Sequence, residues 1–526
     1  MHLSKPAAWI AVIVVWALIA GTAYVVFLRA PGVGTYHDDG IYLVTAKALA
    51  EGEGYRIISV PGEPVQNKYP ILFPLVLSLG WAAHPAFPEN LVWLRLVPVA
   101  AGTAWLALAW LLLMRLRVSK QAAAAMLLLV AASPWVIFLA TALLAETLFA
   151  ALVTAGVLVL TRIHDGHDRR YDGLLAGALM ALALLTRAAG VAPVAAGFVA
   201  LALQRKWRTL AEYAISVLLV ASPWLWWVAT HGPQPGVEAF YSASTYGEWN
   251  IVTHFSWSEK LDVLTVNALY AASLGQFWGI STPYWFKLVS GVLCSGLVAR
   301  GLWLARRSPI ALVVVLNFAV VLAFVWPPVR YIVPVLPFLV WLAYLGAGSF
   351  RPLTALIAMV LLATAGFELS RLQQAVRTKG STAFSTSESW IFDWPQIQRQ
   401  ARWIKEHTPE NSILITILDP TFYLLTGRKA LRPFSFDQLG MHYNLRGRFH
   451  QPFGTAEDLR IRMVASGADY VVITPRDQLE PFVDELSKAY PGSFTLMDGT
   501  PGSGSLIYQI DRSRLESTPA SHRDRE

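Results

Sequence analysis

Two adjacent carboxylates, Asp38 and Asp39, follow the first apolar run of the chain, and a cation, Lys68, comes about thirty residues later. A carboxylate at the edge of a bilayer, partly shielded from water, can act as a general base or bind a cation. A lysine in the same stretch can meet a lipid phosphate as a point charge. The alternative is plainer: the acids start a helix, and the lysine reaches towards lipid headgroups.

Further polar side chains accompany this pair. Tyr42 lies four residues after Asp38 and shares a helix face with it, and Tyr69 follows Lys68 directly. Glu146 sits at the outer end of a predicted span, in the segment Leu-Ala-Glu-Thr-Leu. An ionisable residue at such a place is a functional candidate by default, although a polar residue in a short exposed turn would look the same.

Two arginines are also predicted on the outer side, against the general trend of the chain. Arg187 ends its predicted span, and Arg330 stands before Tyr331 in the segment Pro-Pro-Val-Arg-Tyr. Arginine can grip phosphate oxygens with two parallel hydrogen bonds. Either one alone could anchor to headgroups, but together with Lys68 they predict an external cationic ring for a phosphate or pyrophosphate group.

Composition places these residues in a membrane protein. The chain of 526 residues is 55% hydrophobic and 14% charged, with a mean hydropathy of +0.47, whereas soluble domains are about 25% charged. The net charge of +8 comes from basic residues in short loops between apolar runs, without basic stripes interleaved with aromatic residues. Nucleic acid is therefore not a predicted partner. Cys294 is the only cysteine, so no intrachain disulfide is possible.

About eleven apolar runs are long enough to cross a bilayer as helices. The predicted spans are residues 7–28, 91–116, 121–140, 143–162, 172–187, 188–203, 209–230, 283–305, 309–327, 331–349 and 353–369.

The side of each loop follows from the positive-inside rule. The basic loop residues that fall on one side, together with Lys5, are Arg115, Arg117, Lys120, Arg162, Arg169, Arg170, Arg205, Lys206, Arg208, Arg306, Arg307 and Arg351. This side is predicted to be the cytoplasm, with the N-terminus there and the loop 29–90 outside. Residues 69–83 are apolar but short and are predicted to form an interfacial or re-entrant helix.

Two other segments are predicted outside. Residues 231–282 carry Tyr241, Tyr246, Trp249, His254, Trp257 and Trp278, which form either an interfacial aromatic belt or a wall of a sugar or lipid site. Residues 371–526 have an ordinary composition, with predicted strands at 412–416, 469–474 and 505–510 and helices at 394–407 and 456–466. This alternation indicates a small C-terminal α/β domain, outside the cytoplasm, next to a membrane domain of residues 1–370.

No glycine-rich phosphate loop, Ser/His/Asp set or metal-spaced Cys/His set is visible. Paired acids permit a divalent cation without requiring one. An enzyme acting outside the cytoplasm has no supply of nucleotide sugars, so an activated lipid is the plausible donor for group transfer.

Taken in order, these motifs resemble the GT-C superfamily of integral-membrane glycosyltransferases, and most closely the aminoarabinose transferase and protein O-mannosyltransferase-like enzymes. The resemblance covers about residues 7–350 and, more loosely, the tail. The matching segments are Asp38-Asp39-Gly40-Ile41-Tyr42, Asn67-Lys68-Tyr69-Pro70, Glu146, Arg330-Tyr331 with Pro334 and Pro337, Trp403-Ile404 and Tyr423-Leu424-Leu425-Thr426-Gly427-Arg428. The chain departs from the family in having Asp-Asp where relatives have Asp-Glu, and Tyr69 between the lysine and the proline.

The resemblance implies a polyprenyl-phosphate-sugar donor whose phosphate meets Lys68, and an acceptor lipid, glycan or protein. Asp38 is the predicted general base of an inverting transfer, although the Asp-Asp pair leaves either carboxylate open. Asp39 and Glu146 would orient the acceptor or bind a cation, and the tail would help to recognise the acceptor. The predicted location is a bacterial inner membrane.

Two other classes of protein remain open from the sequence. A lipid or solute transporter places charges near the midplane and often shows repeated halves, whereas these charges lie at an outer edge and no repeat is evident. A non-catalytic envelope assembly protein would use the tail for binding and would tolerate charge changes in the first loop.

Overall fold

The structure is a computed structural model that describes residues 5–34, 36–231, 255–380, 393–434, 440, 442–443, 454–474 and 479–517, with the side chains of all but residues 5–14, 17 and 351. The tyrosines, tryptophan and histidine predicted between positions 241 and 254 lie outside these ranges.

Helices dominate the first 380 residues. They are α1 (Lys5–Leu28), α2 (Asp38–Ala50), α3 (Leu72–Ala83), α4 (Leu91–Arg115), α5 (Lys120–Ala131), α6 (Pro134–Thr141), α7 (Glu146–His164), α8 (Asp172–Thr186), α9 (Val191–Leu203), α10 (Trp207–Thr230), α11 (Trp257–Ala272), α12 (Tyr284–Leu304), α13 (Pro309–Leu322), α14 (Val329–Ile332), α15 (Leu336–Ala347) and α16 (Arg351–Lys379).

Each of the predicted spans is helical. Six helices of the described chain are long and apolar enough to cross a membrane, and the bent pair α5–α6 makes a seventh if it is one span. Three of the remaining predicted spans correspond to the shorter apolar helices α8, α9 and α13, and the first corresponds to α1, a helix of 24 residues. The predicted interfacial segment forms α3, a helix of 12 residues. The prediction of a polytopic helical membrane protein is thus confirmed.

The span predicted at residues 121–140 differs from the expectation, because it is broken rather than straight. The axes of α5 and α6 meet at 67°, and Pro134 occupies the first position of α6. Proline has no N–H and cannot continue the hydrogen-bond ladder of the preceding helix. The buried Ser133 at the break donates its hydroxyl to the Phe277 carbonyl at 2.6 Å, which stabilises the bend.

Close approach of the spans depends on small residues. A Cβ atom added at Gly177 of α8 would lie 2.5 Å from the Tyr213 carbonyl of α10, and one added at Gly173 would lie 2.7 Å from the Thr209 carbonyl. Lipid tails are as apolar as leucine, so helices in a membrane associate through tight packing rather than hydrophobic burial. The Gly-x-x-x-Gly spacing of α8 therefore brings two backbones together.

The helix α7 separates two groups of charges. Glu146 is its first residue and Arg162 lies in its last turn, and its 19 residues span about 28 Å. At the Arg162 end lie the pairs Arg162–Asp172, Arg115–Asp165 and Lys206–Asp168. These three basic loops thus share one end of α7, and the candidate chemical residues gather around Glu146 at the other.

The C-terminal part forms a mixed five-stranded sheet with helices. Its elements are α17 (Trp394–His407), β1 (Ile413–Ile415), α18 (Asp419–Thr426), β2 (Lys429–Leu431), α19 (Ala456–Ser466), β3 (Tyr470–Ile473), α20 (Glu480–Ala489), β4 (Phe494–Asp498), β5 (Leu506–Ile510) and α21 (Arg512–Leu515). The strand order is β2-β1-β3-β5-β4, with β1 parallel to β2 and β3, and β5 antiparallel to β3 and β4.

All three predicted strands and both predicted helices of the tail are present. In α17 the buried Trp394, Ile397, Ala401 and Ile404 recur at helical spacing and belong to the hydrophobic core. The short β2, the edge strand β4 and the helices α18 and α20 were not predicted. The helix α16 continues through residue 370 to Lys379, so its last turns extend past the predicted end of the membrane domain.

Candidate active site

The helix α2 begins at Asp38 and presents this carboxylate to two donors. The Tyr69 hydroxyl donates to Oδ1 at 2.5 Å, and Arg330 forms an ion pair with Oδ2. Burial opposes ionisation of Asp38, but the charges of Arg330 and Lys68 and the two hydrogen bonds outweigh it. The pKa of Asp38 is therefore held well below its ordinary value.

A second carboxylate, Glu146, meets two arginines at the start of α7. Its side chain is 1% exposed, and its Oε1 pairs with Arg187 and, at 3.1 Å, with Nε of Arg330. The order Asp38–Arg330–Glu146–Arg187 forms an ion-pair chain that joins the first turns of α2, α7 and α14 to the end of α8. The Oε2 atom of Glu146 has no hydrogen-bond partner among the described residues.

Aromatic rings surround the guanidinium groups of the ion-pair chain. The Tyr331 ring lies 4.9 Å from Arg187 and 5.3 Å from Arg330, and the Tyr36 ring lies 4.8 Å from Arg330. Such contacts are worth about 2 kcal/mol or more when the cation is desolvated. The rings thus offset part of the cost of burying two arginines.

Lys68 lies next to Asp38 on a loop held by α10. Its Nζ is 5.1 Å from the centre of the Tyr69 ring. The Gln66 side-chain oxygen accepts hydrogen bonds from the backbone N–H of Lys68 at 2.8 Å and of Tyr69 at 3.3 Å, and the Gln66 backbone carbonyl accepts from Trp227 Nε1 at 2.9 Å. Tyr42 packs edge-on against Tyr69, with ring centres 5.2 Å apart. Asp38, Tyr42, Lys68 and Tyr69 therefore lie together.

Asp39 faces away from this cluster. Its carboxylate accepts hydrogen bonds from the backbone N–H of Gly34 at 2.8 Å and of Gly40 at 3.1 Å, and it lies beside the buried Arg95. Arg95 in turn donates to the carbonyls of Ala30 and Gly32, the latter at 2.6 Å. Asp39 thus fixes the segment that leads into α2.

This position predicts a structural effect for Asp39→Asn. Losing a charge that two buried N–H groups and a buried arginine satisfy should lower the free energy of unfolding by about 1–3 kcal/mol. Denaturant unfolding in detergent, alongside kinetics at saturating donor, measures both effects. Unchanged stability with lost turnover would instead give Asp39 a catalytic role.

No group of three or more His, Cys, Asp or Glu side chains suited to a metal occurs in the part of the chain that the structure describes. The position between the Asp38 and Glu146 carboxylates is taken by the Arg330 guanidinium. Three cations and two carboxylates (Lys68, Arg187, Arg330, Asp38 and Glu146) leave this cluster with a formal surplus of one positive charge.

Sequence reasoning missed several residues of the site. Tyr36, Gln66 and Arg95 belong to no local sequence motif, although a buried arginine in an apolar run is itself a signal.

In the aromatic segment, Trp278 is neither belt nor site wall: it is 3% exposed and donates Nε1 to the Leu129 carbonyl at 2.7 Å. Trp257 is exposed, as a belt residue would be.

Comparison with solved structures identifies the fold. The aminoarabinose transferase ArnT from Cupriavidus metallidurans in the apo state matches with a TM-score of 0.57 at 16% identity, over 98% of this chain and 100% of its own. The oligosaccharyltransferase of Archaeoglobus fulgidus, in complex with zinc and sulfate, matches with a TM-score of 0.54 at 15% identity, over 96% of this chain and 76% of its own.

The archaeal oligosaccharyltransferase AglB from the same organism, in complex with an inhibitory peptide and a dolichol-phosphate, matches with a TM-score of 0.53 at 16% identity, over 97% of this chain and 75% of its own. No family model and no curated protein matches the sequence. The chain therefore shares the fold of these structures along nearly its whole length.

Proposed function

We propose that this protein is a glycosyltransferase that moves a sugar from a polyprenyl-phosphate carrier to an acceptor outside the cytoplasm. The observation that carries the proposal is the cluster of Asp38, Glu146, Lys68 and two arginines at one end of the spans. Its surplus positive charge suits a lipid phosphate, and its two carboxylates suit proton transfer. The shared fold supports this reading, since AglB binds dolichol-phosphate.

In the proposed reaction, Lys68 neutralises the donor phosphate at the membrane edge. The acceptor oxygen or nitrogen attacks the anomeric carbon as the bond to the phosphate oxygen breaks, and that oxygen keeps the electron pair. The acceptor proton passes to Asp38, so the transfer proceeds in one displacement with inversion.

The ion-pair chain gives each remaining group a role. A donor phosphate competes with Asp38 for Arg330, and loss of that ion pair makes the carboxylate more basic as the substrate arrives. Glu146 Oε2, which lacks a hydrogen-bond partner in the described structure, can accept a bond from the acceptor. Arg187 and Tyr331 hold Glu146 and Arg330 in place.

The location follows from the same proposal. The loops that carry Arg115, Arg162 and Lys206 lie at the opposite end of α7 from the cluster, so the positive-inside rule favours the cluster and the C-terminal part outside and the N-terminus in the cytoplasm. A bacterial inner membrane fits this arrangement. Mass spectrometry of envelope glycans and lipids from a deletion strain would identify the product.

Lys68→Ala tests the donor site in proteoliposomes supplied with labelled polyprenyl-phosphate sugars and an envelope extract. We expect the KM for the donor to rise about 10–100-fold, because a charge-assisted phosphate contact is lost. The matched control is Lys47→Ala on the same external segment, where the lysine pairs with Glu51; it should leave KM unchanged. Sugar-lipid flux without any transfer product would favour a transporter and reject the proposal.

A further inference from the structure

The start of α2 is held by the C-terminal part of the chain. His37 Nε2 lies 2.7 Å from Oδ1 of Asp419, the first residue of α18, although 382 residues separate them. The Asp419 side chain is fully buried, whereas that of His37 is 21% exposed. The carboxylate also lies in the first turn of a helix, where the dipole favours negative charge.

Backbone packing surrounds this link. A Cβ atom added at Gly40 of α2 would lie 2.8 Å from Pro420 Cβ, and one added at Gly34 would lie 3.0 Å from Thr421 Oγ1. The first turn of α18 is therefore in van der Waals contact with both sides of the segment that carries Asp38.

A second contact anchors the same two parts of the chain independently. The Ala430 N–H of β2 donates to the Ser59 carbonyl at 2.8 Å, and Lys429 Nζ donates to the Ile58 carbonyl and to Glu63, each at 2.5 Å. The loss of the His37–Asp419 link would leave this contact in place.

His37 needs such support because of its backbone. It adopts φ 61° directly before α2 and makes no side-chain cap to the helix. A residue with a side chain is strained at such a positive φ, and such conformations persist when the surroundings over-determine them. The next residue is Asp38, so the turn at His37 sets the direction in which that carboxylate points.

We infer that Asp419 is a positioning residue of the active site, which acts through His37 to hold the turn that presents Asp38. The inference rests on the proposed function for its kinetic consequence. The C-terminal part then completes the catalytic geometry in addition to any role in acceptor recognition.

A double-mutant cycle tests the link in the full-length protein. Asp419→Asn and His37→Asn should each lower kcat about tenfold, since small misplacements of a catalytic group are costly, with the donor KM within about twofold of wild type. Because both act through one contact, the double variant should lose no more than either single variant. Lys429→Met, which weakens only the second contact, should keep the wild-type kcat. Multiplicative losses, or a wild-type kcat in Asp419→Asn, would overturn the inference.

Hydrogen exchange gives a readout that does not need activity. In Asp419→Asn the amides of residues 38–42 should exchange about tenfold faster, while the sheet amides of β1 and β3 keep wild-type protection. Lys429→Met should leave residues 38–42 unchanged. If the wild type transfers no sugar, the proposed function fails, and faster exchange confined to residues 38–42 would still support the positioning link. Unchanged exchange in Asp419→Asn would refute the link even in an active enzyme.

Discussion

Asp38→Asn is expected to lower kcat for sugar transfer by a factor of about 10²–10⁴, the usual contribution of a general base. The amide has nearly the same shape and can keep the hydrogen bond from Tyr69, but it cannot take a proton from the acceptor. Arg330 retains Glu146 as a partner, so the fold should survive. Initial rates at saturating donor and acceptor measure the effect.

The matched control is Asp165→Asn, at the other end of α7. Asp165 pairs with Arg115 at 3.0 Å and is 38% exposed, so its removal should leave kcat at the wild-type value. A normal turnover number in Asp38→Asn would exclude Asp38 as the base, and Glu146→Gln would then be the next variant to assay.

The depressed pKa of Asp38 also sets the pH dependence. A carboxyl whose folded pKa lies below its unfolded value of about 3.9 is ionised throughout the neutral range. Its stabilising contribution is present above the unfolded pKa and is lost as pH falls through the folded one. The profile of kcat/KM should therefore show no acidic limb from Asp38 between about pH 5 and about pH 8. A limb in that interval that disappears in Asp38→Asn would contradict the ion pairing with Arg330.

Glu146→Gln is expected to cause the largest loss of stability, about 3–5 kcal/mol. It removes the carboxylate that Arg187 and Arg330 share, and both arginine side chains are only 9% exposed. Two buried guanidinium groups would then be left with one carboxylate, Asp38, which pairs with Arg330 alone. Thermal or denaturant unfolding in detergent, measured by tryptophan fluorescence, gives the comparison with wild type.

Two further variants make this result specific. Glu212→Gln removes an exposed pair with Arg208 and should cost no more than about 1 kcal/mol. Arg187→Met in the Glu146→Gln background should recover much of the loss, because removing both members of a buried pair is often close to neutral. Equal stability of Glu146→Gln and wild type would show that the ion-pair chain does not support the fold.

Local pattern was sufficient for most of the secondary structure. The helix α17 has the predicted bounds 394–407, because its apolar residues recur at helical spacing and its ends carry clear signals. The bend between α5 and α6 was missed, although Pro134 marked it, since a continuous apolar run outweighed one proline in the hydropathy pattern. The strands β2 and β4 were missed because three to five residues carry too little periodicity to stand out.

The site was only partly accessible from the sequence. Residue type and membrane side picked out Asp38, Lys68, Glu146, Arg187 and Arg330 as one set. Which of these residues pair with each other could not be predicted from the sequence, however, because Arg330 and Asp38 are 292 residues apart in the chain. The sequence analysis predicted a ring of arginines free to bind phosphate. In the folded chain each of these arginines is paired with a carboxylate.

The sequence by itself determined that this chain crosses a membrane many times and which polar residues gather at one of its ends. It could do so because lipid demands long apolar helices and because charge is costly away from their termini. Only the tertiary structure decided that Asp38 joins the ion-pair chain while Asp39 faces Arg95, since successive residues of a helix point about 100° apart. It alone placed Asp419 against His37, because helix packing brings together residues that no local pattern connects.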